Sequence, residues 1–234
     1  MTLASRFGAV VLLGALAAGA YPEQDPLLAK RRAMVAEQIA RRDVVGRRVL
    51  EAMHAVPRER FVPAEWRHAA YDDSPLPIGD GQTISQPYVV AKMTELLALR
   101  PDDVVFELGT GSGYQAAVAA RLAAQVYSME IHPSLAEGAR RTLASLEYAN
   151  VTIRVGDGYF GWAEKGPFDA IVVTAAATEI PPALVAQLKN GGRMVVPVGP
   201  AFATQRLMLV EKTPDGQLST RSLFPVRFVP VLRE

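Results

Sequence analysis

Between Leu27 and Ala55 apolar residues recur at three- to four-residue intervals: Val35 with Ile39, then Val45, Val49, Leu50 and Met53. That spacing gathers them on one face of a helix and leaves the arginines on the other. Pro57 stops the pattern, so two short helices are expected, with Asp43 placed to cap the second. From there to Pro87 the periodicity disappears. Pro57, Pro63, Pro75, Pro77, Gly79, Gly81 and Pro87 punctuate a loop-like stretch. A loop of that length is uncommon in a compact domain unless it has a job. Pro87 then opens a helix to about Leu99, since proline suits the first helical turn.

Beyond Asp102 short apolar runs alternate with helical stretches. Val104–Leu108, Gln125–Ile131, Val151–Val155, Phe168–Thr174 and Met194–Val198 read as strands. Helices are expected after the first, up to Ala124, after the second, through Leu146, and over Pro182–Lys189. Near-continuous apolar strands separated by helices predict an α/β fold with a mostly parallel, doubly wound sheet. Arg206–Val210 and Leu223–Val229 are strand-like with no helix between them, so an antiparallel component is expected at that end.

The N-terminus follows a different rule. Arg6 precedes an apolar run, Phe7–Ala18, and Ala18-Gly19-Ala20 offers a small-x-small cleavage pattern. This is a secretory leader layout, too short to span a bilayer comfortably. Residues 1–20 are therefore set apart from the fold. The expected location is exported or periplasmic if the leader is used, cytoplasmic if it is an upstream extension.

The formal net charge of +1 gives no long-range field for nucleic acid or an anionic membrane, so neither is an expected partner. There is no cysteine, which removes thiol nucleophiles, zinc-thiolate sites and Fe–S clusters. The three histidines, His54, His68 and His132, lack a zinc-hydrolase spacing, and no metal is expected.

Candidate chemistry concentrates at strand ends. Glu107-Leu108-Gly109-Thr110-Gly111-Ser112-Gly113-Tyr114-Gln115 follows the first core strand, where open α/β sheets bind nucleotide-like ligands. A Gly-rich turn alone is weak evidence. Here Tyr114 stands where a dinucleotide fingerprint has its third glycine, and no Lys or Arg lies in the turn, which disfavours phosphates. Glu130, with Ile131 beside it, ends the second strand 130 − 109 = 21 residues after the first glycine. It either accepts from ribose hydroxyls or is an ordinary exposed strand-end glutamate. Asp157, before Gly158, could accept from an adenine amino group or form a plain Asp-Gly turn. Together they fit an adenosyl ligand without phosphates.

Three further stretches join these: Gly81-Gln82-Thr83-Ile84-Ser85-Gln86-Pro87, Phe168–Ala176 and Gly191–Gly199. With them the chain, from about Met34 to Val231, closely resembles the protein-L-isoaspartate O-methyltransferases among the class I methyltransferases. The Gly109 turn says only methyltransferase; Gln82–Pro87, ahead of that turn, is specific to this family. The resemblance implies a Rossmann-like fold, residues 101–234, preceded by N-terminal helices and a substrate loop, residues 21–100, in one domain. It implies S-adenosyl-L-methionine as cofactor and isoaspartyl or D-aspartyl residues of damaged proteins as substrate, methylated to begin repair by a monomeric enzyme. Ser85 would be the active-site residue, with Thr83, Ile84, Pro197 and Val198 lining the substrate pocket. Ser85 lies two residues before Pro87, so helix capping is its alternative role. A small-molecule methyltransferase and a non-catalytic binder of aged proteins are the rival functions.

Overall fold

A computed structural model describes residues 27–233, so the leader expected over residues 1–20 lies outside the described residues. Leu28–Ala33 (α1) runs into a π-helical turn, Met34–Ala40, and Arg47–Ala55 forms α2. Val35, Ile39, Val49 and Met53 are buried, as the spacing predicts, whereas Val45 is exposed. Asp43 does not cap α2, because the helix starts 47 − 43 = 4 residues later. Its carboxylate instead accepts from the Tyr88 hydroxyl at 2.7 Å and pairs with Lys92 at 3.0 Å. The free amides of Val45 and Gly46 donate to Glu95 Oε1 at 2.7 and 2.8 Å.

The proline-rich stretch is more ordered than its sequence predicts. Arg58–Phe61 and Ala64–Ala69 are 3₁₀ turns, each preceded by a proline whose fixed φ sets the entry. Leu76–Gly79 (β1) and Gln82–Ile84 (β2) form an antiparallel hairpin through Gly79, Asp80 and Gly81, all at positive φ. Pro87–Leu97 (α3) follows and ends at Ala98 in the left-handed region.

The core elements are Val104–Leu108 (β3), Tyr114–Ala120 (α4), Gln125–Glu130 (β4), Pro133–Ser145 (α5) and Val151–Val155 (β5). Phe168–Val173 (β6), Pro182–Gln187 (α6), Leu188–Val198 (β7), Gln205–Lys212 (β8) and Leu218–Val226 (β9) complete them. The sheet order is β5-β4-β3-β6-β7-β8-β9. β3 to β7 pair in parallel, and β8 and β9 add an antiparallel meander. The mixed sheet is the expected one, but the helix expected over Pro182–Lys189 stops at Gln187. Leu188 already pairs with Phe168, and the register shifts before Arg193 pairs with Ala170. Gly191 and Gly192 lie in this irregular stretch, and a Cβ on Gly192 would sit 2.8 Å from the Asp169 carbonyl oxygen.

Side-chain alternation divides the interior. Val105, Val172, Val195 and Leu209 pack with α2, α3 and α4, while Phe106, Ile171, Met194 and Val210 pack on the face covered by α6. β4 and β6 flank β3, so the chain leaves β3 to one side and returns on the other. That reversal opens a crevice at the carboxyl ends of β3 and β6.

Candidate active site

Gly109 begins the turn at this crevice with φ +91°, and a Cβ there would lie 2.6 Å from Thr174 Oγ1. No other residue fits so close to the end of β6. Thr174 uses that proximity: its hydroxyl lies 2.9 Å from the Leu108 carbonyl oxygen and 2.5 Å from that of Gly109. The Gly111 amide donates to Glu130 Oε2 at 2.7 Å, and Glu130 Oε1 accepts from the His132 amide at 3.0 Å. Glu130 is 4% exposed, so the exposed strand-end alternative is not what the fold builds. It anchors the turn and still faces the cleft.

Beneath the turn lies a polar chain. Thr110 Oγ1 is 2.5 Å from Ser128 Oγ, and Ser128 donates to Glu107. Glu107 is fully buried and its Oε1 has no partner among the described residues. Burial pushes its carboxyl up to about 8; the Glu130 charge adds to the rise and the Ser128 hydrogen bond opposes it.

The cleft above encloses about 740 Å³ of empty space, counting its open mouth. Of the cofactor residues expected from sequence, Gly109, Thr110, Gly111, Ser112, Tyr114 and Gln115 line it, with Glu130, Ile131 and Gly158. Glu107, Gly113 and Asp157 do not. Glu107 is one layer below, and Gly113 packs on Ala139 and Leu143 of α5. Asp157 caps the short turn Gly158–Phe160, with Oδ1 accepting from the Tyr159 amide at 2.9 Å and Oδ2 from Arg233 Nε at 2.8 Å. Among the described residues no Lys or Arg lines the cleft, an environment suited to an adenosyl group without phosphates.

A second, more open groove of about 1,770 Å³ lies alongside, walled by Tyr88, Phe224, Phe228 and Arg227 among others. Thr83, Ser85, Thr174 and Val229 line both spaces. Ile84 reaches only the first. Pro197 and Val198 line neither, a correction to their expected place: both lie in β7, and the Pro197 carbonyl accepts from the Ala177 amide at 3.0 Å. Ser85 does not cap α3, whose N-terminus has no side-chain cap, and its hydroxyl has no partner among the described residues. The hairpin carrying Thr83 is held over the cleft by Ser134, which donates to Asp80 at 2.5 Å.

Sequence reasoning missed Thr174, His132 and the segment Val229–Leu232, all of which line the cleft. Thr174 ended an apolar strand and was legible as a strand-end position. The other segment reaches the site only because β9 runs parallel to β7 in the sheet.

The profile of the protein-L-isoaspartate(D-aspartate) O-methyltransferase family matches residues 29–234. Protein-L-isoaspartate O-methyltransferase 1 of Nitrosospira multiformis is 54% identical over 230 residues, covering 97% of this chain and 96% of the relative. The Opitutus terrae protein-L-isoaspartate O-methyltransferase is 56% identical over 205 residues, 88% of each chain. A solved protein-L-isoaspartate O-methyltransferase superposes with TM-score 0.75 at 32% identity, over 86% of this chain and 65% of that one. A Plasmodium falciparum candidate of the same family, solved with S-adenosyl-L-homocysteine, gives TM-score 0.73 at 25% identity, over 87% and 99%.

Proposed function

The chain belongs to the protein-L-isoaspartate(D-aspartate) O-methyltransferase family, and we propose that its two adjoining spaces divide the reaction, adenosyl cleft on one side and peptide groove on the other. The protein is an S-adenosyl-L-methionine-dependent transferase that methylates the free carboxylate of isoaspartyl residues in damaged proteins, the first step of their repair. The observation that carries the division is the junction: Thr83, Ser85, Thr174 and Val229 face both spaces.

When bound, the cofactor supplies a methyl group on a positively charged sulfur. The residues of the chain then have three tasks. The Gly109–Gly113 turn, with Glu130 and Ile131, holds the adenosyl group against the ends of β3 and β4. The groove receives an extended peptide against Tyr88, Phe224 and Phe228. Ser85 donates one hydrogen bond to the substrate carboxylate and aims it at the junction.

No general base is required. A side-chain or main-chain carboxyl has an unperturbed pKa of roughly 3.3–4.3 and is already ionised at neutral pH. Positioning is therefore the main contribution, and a single hydrogen bond from Ser85 orients without holding the ground state too tightly. Asp157, adjacent to Gly158 in the cleft wall, belongs to the adenine end of the same reading. Pro197 and Val198 hold Ala177, two residues beyond Ala175 of the cleft wall. The apolar run Phe7–Ala18 and the Ala18-Gly19-Ala20 pattern support an exported form of the enzyme.

The test is labelled-methyl transfer to paired peptides that differ only in an isoaspartyl or aspartyl link. Transfer to the isoaspartyl peptide alone is expected. Ser85→Ala should lower kcat/KM for that peptide roughly ten- to hundredfold, the loss of a hydrogen bond to a charged group, with the cofactor KM unchanged. Equal transfer to both peptides would refute the substrate assignment, and an unaltered Ser85→Ala rate would remove Ser85 from the site.

A further inference from the structure

The cofactor cleft has a wall contributed by the far end of the chain. Val229, Pro230, Val231 and Leu232 line it. This segment is held to the strand-end region beyond β6 by two backbone hydrogen bonds. The Ala176 amide donates to the Val229 carbonyl, and the Val231 amide to the Ala176 carbonyl, both at 2.8 Å. Past Leu232 the segment is fastened by a side chain. Arg233 Nε donates to Asp157 Oδ2 at 2.8 Å, and its guanidinium carbon lies 3.8 Å from the Tyr159 ring centre and 4.7 Å from that of Phe160.

The Asp157 side chain is 8% exposed and that of Arg233 43%. The anchor is thus a nearly buried carboxylate, and its partner is a solvent-facing cation resting on two aromatic rings. Gly158, next to the anchor, is itself part of the cleft wall, as are the four residues before Arg233. The cleft remains open with this fastening in place, so the segment forms a side of the cleft and does not fill it.

We infer that Val229–Arg233 is a strap forming one side wall of the adenosyl cleft, latched by Arg233 on Asp157, and that Arg233 is a positioning residue setting how long the cofactor and its demethylated product stay bound. The inference rests on the assignment of this cleft to the cofactor. A ligand held against this wall leaves more readily once the latch is open. Opening the latch breaks one charge-assisted hydrogen bond and two ring contacts, frees Leu232 and Arg233, and leaves the two Ala176 hydrogen bonds and the sheet intact. Asp157 then has a task besides any contact with adenine: both its oxygens are already engaged, one holding the Gly158–Phe160 turn and one holding the strap.

The experiment is stopped-flow dissociation of S-adenosyl-L-homocysteine, with KM values for both substrates, for the full chain and for Arg233→Ala and Arg233→Lys. Arg233→Ala should release S-adenosyl-L-homocysteine about three- to tenfold faster, the scale of a partly exposed ion pair with ring stacking. The cofactor KM should rise by a similar factor, with peptide KM at saturating cofactor changed less. Arg233→Lys should fall between the two, since it keeps the charge and loses the flat stacking surface. Unchanged or slower release in Arg233→Ala, with normal binding by the parent protein, would overturn the latch alone. Failure of the parent protein to bind S-adenosyl-L-homocysteine would overturn the cleft assignment and the latch with it.

Discussion

Glu107 and Ser85 show how differently two polar side chains can serve one site. The Ser85 hydroxyl has no partner among the described residues and lies at the junction of two spaces, where the proposed function gives it the substrate carboxylate. Glu107 is sealed under the Gly-rich turn, and its carboxyl is raised to about 8 chiefly by burial. This has a consequence for stability. Below pH about 4.5 both folded and unfolded chains carry the proton; from there to about 8 only the folded chain does. The unfolded state therefore binds fewer protons in that window, and stability falls as pH rises through it. Above about 8 both states are ionised and the dependence ends. Glu107→Gln removes this titration while keeping the shape. Denaturant melts at pH 5 and pH 8 should show the variant gaining on the parent by on the order of a few kcal/mol at the higher pH. A constant difference between the two pH values would mean that Glu107 is ionised in the folded protein.

At the scale of elements, one helix is capped by another. Asp43 looked like the cap of the second helix because it is the nearest acid before the apolar pattern resumes. The helix begins farther on, and its amides are satisfied by Glu95, fifty and forty-nine positions from Val45 and Gly46. Glu95 also pairs with Lys92 at 3.0 Å. Glu95→Ala should cost about 1–2 kcal/mol in chemical denaturation, the range of a lost cap. Glu95→Gln should retain most of the stability, since an amide oxygen still accepts. If both variants unfold like the parent, α2 and α3 do not depend on this contact. Residues 57–87 teach the same lesson. Their prolines and glycines marked the turns correctly, yet the hairpin β1–β2 was not legible. Its strands are only four and three residues long, too short for an alternating pattern to emerge from the surrounding loop.

For the whole molecule, the leader pattern concerns residues that precede the described structure, so the expectation is tested chemically. Intact-mass measurement of the protein recovered from its own host should place the mature N-terminus at Tyr21. A mass that includes the apolar run Phe7–Ala18 would show that the pattern is not read as a cleavage signal. Among the described residues, the cleft is lined by residues from Gln82 to Leu232.

The sequence by itself determined the alternation of strands and helices, the Gly-rich turn, Glu130 at the end of its strand, and the Gln82–Pro87 segment that identifies the family. These are local signals: periodicity, turn chemistry and fixed spacing act within a few residues and do not depend on how distant parts meet. Only the tertiary structure decided which residues share a wall. It brought Thr174 to within hydrogen-bonding distance of the Gly109 turn and buried Glu107 beneath that turn. It brought Val229–Leu232 to one side of the cleft at the Gly109 turn and left Pro197 and Val198 outside it. Such placements depend on strand order and on the direction in which each strand enters the sheet. Those are set by the packing of both faces at once, and no local pattern records them.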